Sequence, residues 1–239
     1  PRVVGAAPAV IEMLNTKKSL QHQFRAYGEY SPAVHDYVES GLMDALEKPE
    51  FAEVMRIIDP FCYRDRLTMP KLILNSAGDE FFLPDSWRFY WSELSGPKCM
   101  RTLPNTRHGL NASADETLRT FYECILTGTA MPSFDWRVET PGRIVVTARD
   151  SPLSAAKWWA ANPEARDFRL DSIGATWRKE TLSPRGEGVF VAEQPEPDRG
   201  WSAFLVELVF PAPNRPGETV TLTSGVSVVP DQLRYALPE

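Results

Sequence analysis

The sequence predicts an α/β domain followed by an all-β domain, and three observations carry that prediction. Before residue 131, short apolar runs alternate with long helical stretches; after it, short β-rich runs lie between proline and glycine turns. Twelve of the 21 prolines fall in the second part, which punctuates it too often for long helices. With 239 residues and 43% hydrophobic content, the chain has material for one or two ordinary cores that need no staples.

In the first part, residues 2–10 (RVVGAAPAV) form a short buried strand candidate, whose small side chains allow neighbours to approach closely. Residues 71–75 (KLILN) follow Pro70 and are apolar on both faces, as a parallel strand requires. Residues 98–103 (KCMRTL) are the third strand. Between the last two, residues 85–94 (DSWRFYWSEL) are expected to be a helix with Asp85 or Ser86 as N-cap. Residues 113–126 form another, with Ser113 and Glu116 in capping-box spacing, Leu118, Phe121, Tyr122 and Ile125 on one face, and Gly128 closing it. About 60 residues separate the first two strands, far more than a simple crossover needs. They are expected to be an inserted helical cap over about 15–60, with helices at 19–27, 32–46 and 49–58 and proline opening the last two.

The second part, 135–239, offers strands at 142–148, 168–170, 175–179, 188–192, 201–210 and 218–229. Six or seven short strands over this length fit an immunoglobulin-like or fibronectin-like β-sandwich. Three parallel strands are too few to support a cap with helices on both faces, so the amino half of the sheet is expected upstream of Pro1.

Charge and composition exclude several functions. The net charge of −6 is shared equally, with 14 basic against 17 acidic residues up to 131 and 12 against 15 after it. Without a basic stripe to neutralise phosphates, nucleic acid is not an expected partner. No apolar run reaches the roughly 18 residues of a membrane span, and no signal peptide opens the chain. Cys62, Cys99 and Cys124 can form at most one bridge and lack zinc-site spacing. His22 and His35 do not form an HExxH pair, so they are expected to pack in the cap or lie at the surface rather than bind metal. No cofactor fingerprint occurs. Met13, Met43, Met55 and Met69 are expected as core filler, and Trp158, Trp159, Trp177 and Trp201 as sandwich packing.

The candidate chemistry lies in two loops. Asp79 follows the second strand in NSAGDEFFLPD, and His108 follows the third in PNTRHGL. Both therefore fall at carboxyl ends of adjacent parallel strands, where open α/β sheets place their ligands. An acid followed by a histidine is the order that closes an α/β-hydrolase triad after an earlier serine. In that chemistry the histidine takes the serine proton, while the carboxylate holds the other ring nitrogen. Gly78 and Gly109 would permit the sharp turns. Asp85 is the rival acid, although its place before a helical run favours an N-cap. No G-x-S-x-G elbow is present.

These residues carry a family resemblance. The runs VVGAAPAVIEMLN (3–15), SLQHQFRAYGEYSPAVHDYVESGL (19–42), IIDPFCYRDRLTMPKLILNSAGDEFFLPDS (57–86) and LPNTRHGL (103–110) resemble the PhoPQ-activated pathogenicity-related protein family, and ARDFRLDSIGATW (165–177) and GWSAFLVELVF (200–210) extend the match. The resemblance implies the carboxyl-terminal part of an α/β-hydrolase domain with a helical cap over 1–131, then a β-sandwich. It also implies an exported protein, secreted or periplasmic. By family pattern Asp79 and His108 are the catalytic acid and histidine, and the nucleophilic serine lies in an amino-terminal segment upstream of Pro1. The expected function is a serine hydrolase acting on a small-molecule ester, amide or peptide. The alternative is a non-catalytic exported binding or signalling protein on the same scaffold.

Overall fold

The computed structural model describes residues 2–11, 14–140 and 142–237; Met13, expected as core filler, lies outside them. The chain mixes helices with one parallel and two antiparallel sheets. Helices α1 (Thr16–Tyr27), α2 (His35–Glu39) and α3 (Pro49–Ile58) precede strand β1 (Lys71–Ser76), and β2 (Lys98–Leu103) is followed by α4 (Ala112–Thr127). Then come β3 (Phe134–Thr140), β4 (Arg143–Ala148), β5 (Ser154–Asn162), α5 (Leu170–Ile173), β6 (Arg178–Thr181), β7 (Val189–Glu193), β8 (Trp201–Pro211), β9 (Thr219–Thr223) and β10 (Ser227–Val229).

Strands β1 and β2 pair in parallel, from Lys71 opposite Lys98 to Ser76 opposite Leu103. The expected strand over residues 2–10 is only two isolated parallel bridges, Ala6 to Lys71 and Ala9 to Leu74. Its hydrogen bonds run Ala6 N to Pro70 O, Leu72 N to Ala6 O, Leu74 N to Pro8 O and Val10 N to Leu74 O. The rung skipped in this series is the one Pro8 would have to donate, and proline has no N–H.

Other local expectations gave way to burial. Residues 85–94 form two 3₁₀ turns, Ser86–Phe89 and Trp91–Glu93, rather than an α-helix. Tyr90 breaks them with φ −140° and is buried beside Ile73, Met100 and Leu94. The expected helix at 32–46 divides into a 3₁₀ turn at Pro32–Val34, the short α2 and another turn at Met43–Ala45, with Gly41 at φ 74° between them. Its buried residues Val34, Met43 and Leu46 close on Leu20, Phe51 and Met55. Helix α4 is capped by Asn111, whose side chain accepts the Ser113 N–H at 3.0 Å, so Ser113 is not the cap.

In the second part, β8 is the central strand. It pairs antiparallel with β5 along one edge and with β10 and β9 in turn along the other. The three-stranded sheet β3-β4-β7 is also antiparallel. Alternation along β8 sends Phe204, Val206, Leu208 and Phe210 into a cluster with Ile144, Val146, Phe190 and Ala192, while Ala203 and Leu205 meet Phe168 and Trp177 on the other face. Both faces are buried, which explains the nearly continuous apolar sequence. The expected strand at 168–170 is irregular chain leading into α5, and the expected run at 218–229 breaks at Ser224–Val226. There the Trp87 indole lies on Gly225 and donates to the Val226 carbonyl at 2.7 Å; a Cβ on Gly225 would come within 2.3 Å of the ring.

The core does not stop at residue 131. Leu72, Leu74 and Phe121 belong to the same buried cluster as Phe204 and Val206. The backbone N–H of Thr102 donates to Thr223 Oγ1 at 2.8 Å, so β9 covers the outer edge of β2.

Candidate functional site

Two loops emerging from β1 and β2 are bolted together before either reaches a chemically active side chain. Ser76 Oγ donates to the Thr106 carbonyl at 2.7 Å and accepts the Gly78 N–H at 3.1 Å, while Thr106 Oγ1 donates to the Leu103 carbonyl at 2.8 Å. Gly78 is required by close approach rather than by a positive φ: a Cβ there would lie 2.6 Å from the Thr106 oxygen. Gly109 meets no such constraint.

This framework brings Asp79 and His108 together. His108 Nδ1 lies 3.0 Å from Asp79 Oδ1 and 3.1 Å from Oδ2. An ionised carboxylate only accepts, so the contact assigns the hydrogen of the neutral ring to Nδ1 and leaves the Nε2 lone pair available. Among the described residues no group hydrogen-bonds Nε2. The Asp79 carboxylate is 3% exposed, whereas the His108 side chain is 32% exposed. Burial pushes the Asp79 carboxyl above its ordinary value; the Phe81 N–H, donating at 2.7 Å, and the adjacent His108 act against that rise. Phe81 lies against the imidazole with ring centroids 4.3 Å apart, and Phe82 stands 6.2 Å away. Two acceptors that sequence reasoning did not single out complete the loop: Glu80 Oε2 takes the His108 backbone N–H at 3.0 Å, and the Glu80 carbonyl takes Ser31 Oγ.

Asp85, the rival acid, is not at His108; it stands at the N-cap position of the Ser86–Phe89 turn, but its side chain makes no cap hydrogen bond. It is fully buried and bonds His22 Nε2 at 3.0 Å and Arg166 Nη2 at 2.6 Å. Burial alone would raise the Asp85 carboxyl, but Arg166, then His22 and Arg88, override it and hold the group well below the carboxylate range. His22 packs edge-on against Phe89. No local sequence signal could show this cluster, because Arg166 lies 81 residues from Asp85.

In the helical segment before β1, Phe24 packs on Tyr30 with ring centroids 5.3 Å apart, and Tyr27 lies half-buried under the Arg169 guanidinium, its phenol pushed upward by desolvation. A cavity of about 1320 Å³ lies elsewhere, among Pro70, Lys71, Pro97 and Lys98 at the opposite ends of the parallel strands. Its Cys99 thiol is pushed up to about 12 by burial, so it holds no activated nucleophile of that type. All three cysteines are free. Among the described residues, the only cluster of three metal-ligating groups is the exposed His35, Asp36 and Glu39, and no helix is long and apolar enough to cross a membrane.

A mixed helix and sheet chain with a buried acid oriented on a half-exposed histidine is thus defined. Residues 1–169 match the PhoPQ-activated pathogenicity-related protein family, and the chain belongs to that family. It is also similar to autocrine proliferation repressor protein A of Dictyostelium discoideum, with 35% identity over 261 aligned positions that cover 98% of this chain and 53% of that protein. The chain therefore spans about half the length of this relative.

Proposed function

We propose that the chain is the carboxyl-terminal portion of a serine hydrolase of the α/β-hydrolase type, with an immunoglobulin-like sandwich after residue 135. The observation that carries this is the His108 ring, tethered through Nδ1 to buried Asp79 with Nε2 unpartnered. A serine on an upstream segment attacks the carbonyl carbon of an ester, amide or peptide. His108 Nε2 takes the serine proton and later returns it to the leaving group, while Asp79 keeps the ring in the productive tautomer and stabilises the imidazolium. Upstream backbone N–H groups supply the oxyanion contacts. Residues 15–60 cap the site, and the protein is exported.

The test is a fluorophosphonate probe on the longer protein that includes this chain. Stoichiometric labelling of one serine before Pro1, abolished by His108→Ala, is expected. Absence of labelling, or labelling indifferent to His108, would favour the second reading: an exported non-catalytic binding or signalling protein. The word "repressor" in the relative's name supports that alternative.

A further inference from the structure

The helical segment of residues 14–66 grips the acid loop with two buried polar side chains. Gln23 is 2% exposed and Ser31 is 1% exposed. Gln23 Nε2 donates to the Phe81 carbonyl at 2.7 Å, Gln23 Oε1 accepts the Ser31 N–H at 3.0 Å, and Ser31 Oγ donates to the Glu80 carbonyl at 2.5 Å. Both held carbonyls belong to the residues immediately after Asp79. Those same residues face the histidine on their other side. The Phe81 N–H bonds Asp79, the Phe81 ring lies on the imidazole, and the Glu80 carboxylate fixes the His108 backbone N–H.

Burying an amide and a hydroxyl is costly unless they are bonded, and packing alone would be served by leucine and alanine. Here the bond that each side chain donates reaches the acid loop, Gln23 at Phe81 and Ser31 at Glu80, while Ser31 Oγ also accepts the Ala33 N–H at 3.3 Å. A displacement of about 1 Å at a reacting group can cost about 100-fold in rate, so a loop carrying the acid needs such restraint if the pair works on a substrate.

We infer that Glu80, Gln23 and Ser31 are positioning residues for the His108–Asp79 pair. Glu80 holds the histidine backbone, Gln23 and Ser31 hold the two peptide units beside the acid, and the helical segment thereby sets the direction of Nε2. The inference rests on the reading of His108 as a general base, and its test separates the two.

The chain has three histidines, so ¹⁵N-histidine spectra of the longer protein can be assigned to His108 by single substitutions within this chain. Neutral His108 should be the Nδ1–H tautomer. In Glu80→Ala and Gln23→Leu, the Nε2–H tautomer should grow, and fluorophosphonate labelling should slow about 10- to 100-fold with unchanged probe affinity. Glu80→Gln keeps an acceptor for the His108 N–H and should restore both. Glu80 is only part-buried, so its variants remain informative if Gln23→Leu fails to fold. If the tautomer in folded Glu80→Ala stays as in the unsubstituted protein and labelling stays within twofold, the positioning role is overturned. If the unsubstituted protein never labels, yet the tautomer moves in Glu80→Ala and returns in Glu80→Gln, the positioning role stands and the hydrolase reading falls.

Discussion

Among the described residues, two histidine–aspartate contacts with a buried carboxylate have the same length, 3.0 Å, and they do opposite things. In the His22–Asp85 pair both side chains are sealed from solvent, and the carboxylate is shared with Arg166 and, more distantly, Arg88. In the His108–Asp79 pair the carboxylate is shared with a backbone N–H, and the far edge of the ring reaches solvent. The first arrangement is an ion cluster that ties α1, the loop after β1 and the chain before α5 together. The second satisfies one ring nitrogen and leaves the other free. A short His–Asp distance is therefore no sign of chemistry by itself; whether the ring that bears it is sealed or reaches the surface decides.

The largest contrast should come from two isosteric changes. Asp79→Asn can keep the Phe81 N–H on its oxygen but offers an N–H to His108 Nδ1, which forces the wrong tautomer. Labelling of the proposed upstream serine should fall by about 10³- to 10⁴-fold, while urea unfolding shows little loss. Asp85→Asn should leave the labelling rate of folded protein within a few fold. A large loss of rate in Asp85→Asn with Asp79→Asn unaffected would exchange the roles of the two pairs.

The stability side of the contrast is next in size. Asp85→Ala leaves the Arg166 guanidinium buried without its closest counter-charge, a change that costs roughly 3–5 kcal/mol. Chemical denaturation at neutral pH checks this, and a loss under about 1 kcal/mol would mean that the cluster relaxes or takes in water. Diethyl pyrocarbonate sharpens the comparison more gently. With side-chain exposures of 64%, 32% and 3% for His35, His108 and His22, mass spectrometry should find modification in that order, with His22 silent until unfolding. Early modification of His22 would contradict its burial.

The two pairs were unequally legible in the sequence for a physical reason. Asp79 and His108 follow strands whose apolar runs are evident, and parallel strands bring their carboxyl ends together whatever the intervening chain does. Asp85 stands one residue before Ser86, and local rules see only a helix start; the partner that decides its role lies in a different part of the chain. The same limit applies to Ser154–Asn162, where alanines around Trp158 and Trp159 concealed a strand that pairs with β8 over nine residues. Its Ala155, Ala156 and Ala160 are buried, and small side chains fit where another layer packs closely. Pro8 is the reverse case: a one-residue fact, visible in the sequence, that breaks an otherwise well-placed strand. The apolar pattern reported where chain is buried, but not which distant group meets it.

The smallest expected effect is a difference in slope. Asp79 has a folded-state carboxyl raised by burial, so between its ordinary value near 3.9 and that raised value the native state binds more protons than the unfolded chain. Its contribution is fully present below the ordinary value and is lost as pH rises through the folded one. Asp85 is held low by Arg166 against the effect of burial, so its contribution is present above the ordinary value and lost as pH falls toward the folded one. Asparagine at either position removes the titration. The stability of the unsubstituted protein minus that of Asp79→Asn should therefore decline as pH rises from about 4 toward neutrality, whereas the corresponding difference for Asp85→Asn should shrink as pH falls below about 4. Urea midpoints at constant m-value across this range measure both differences. Parallel profiles for the two variants would mean that their carboxylates lie in equivalent environments, and the distinction between counter-ion and oriented acid would fail. Profiles that diverge in these directions would show that Asp79 is kept at a cost in stability, as expected of a residue retained for its action on His108.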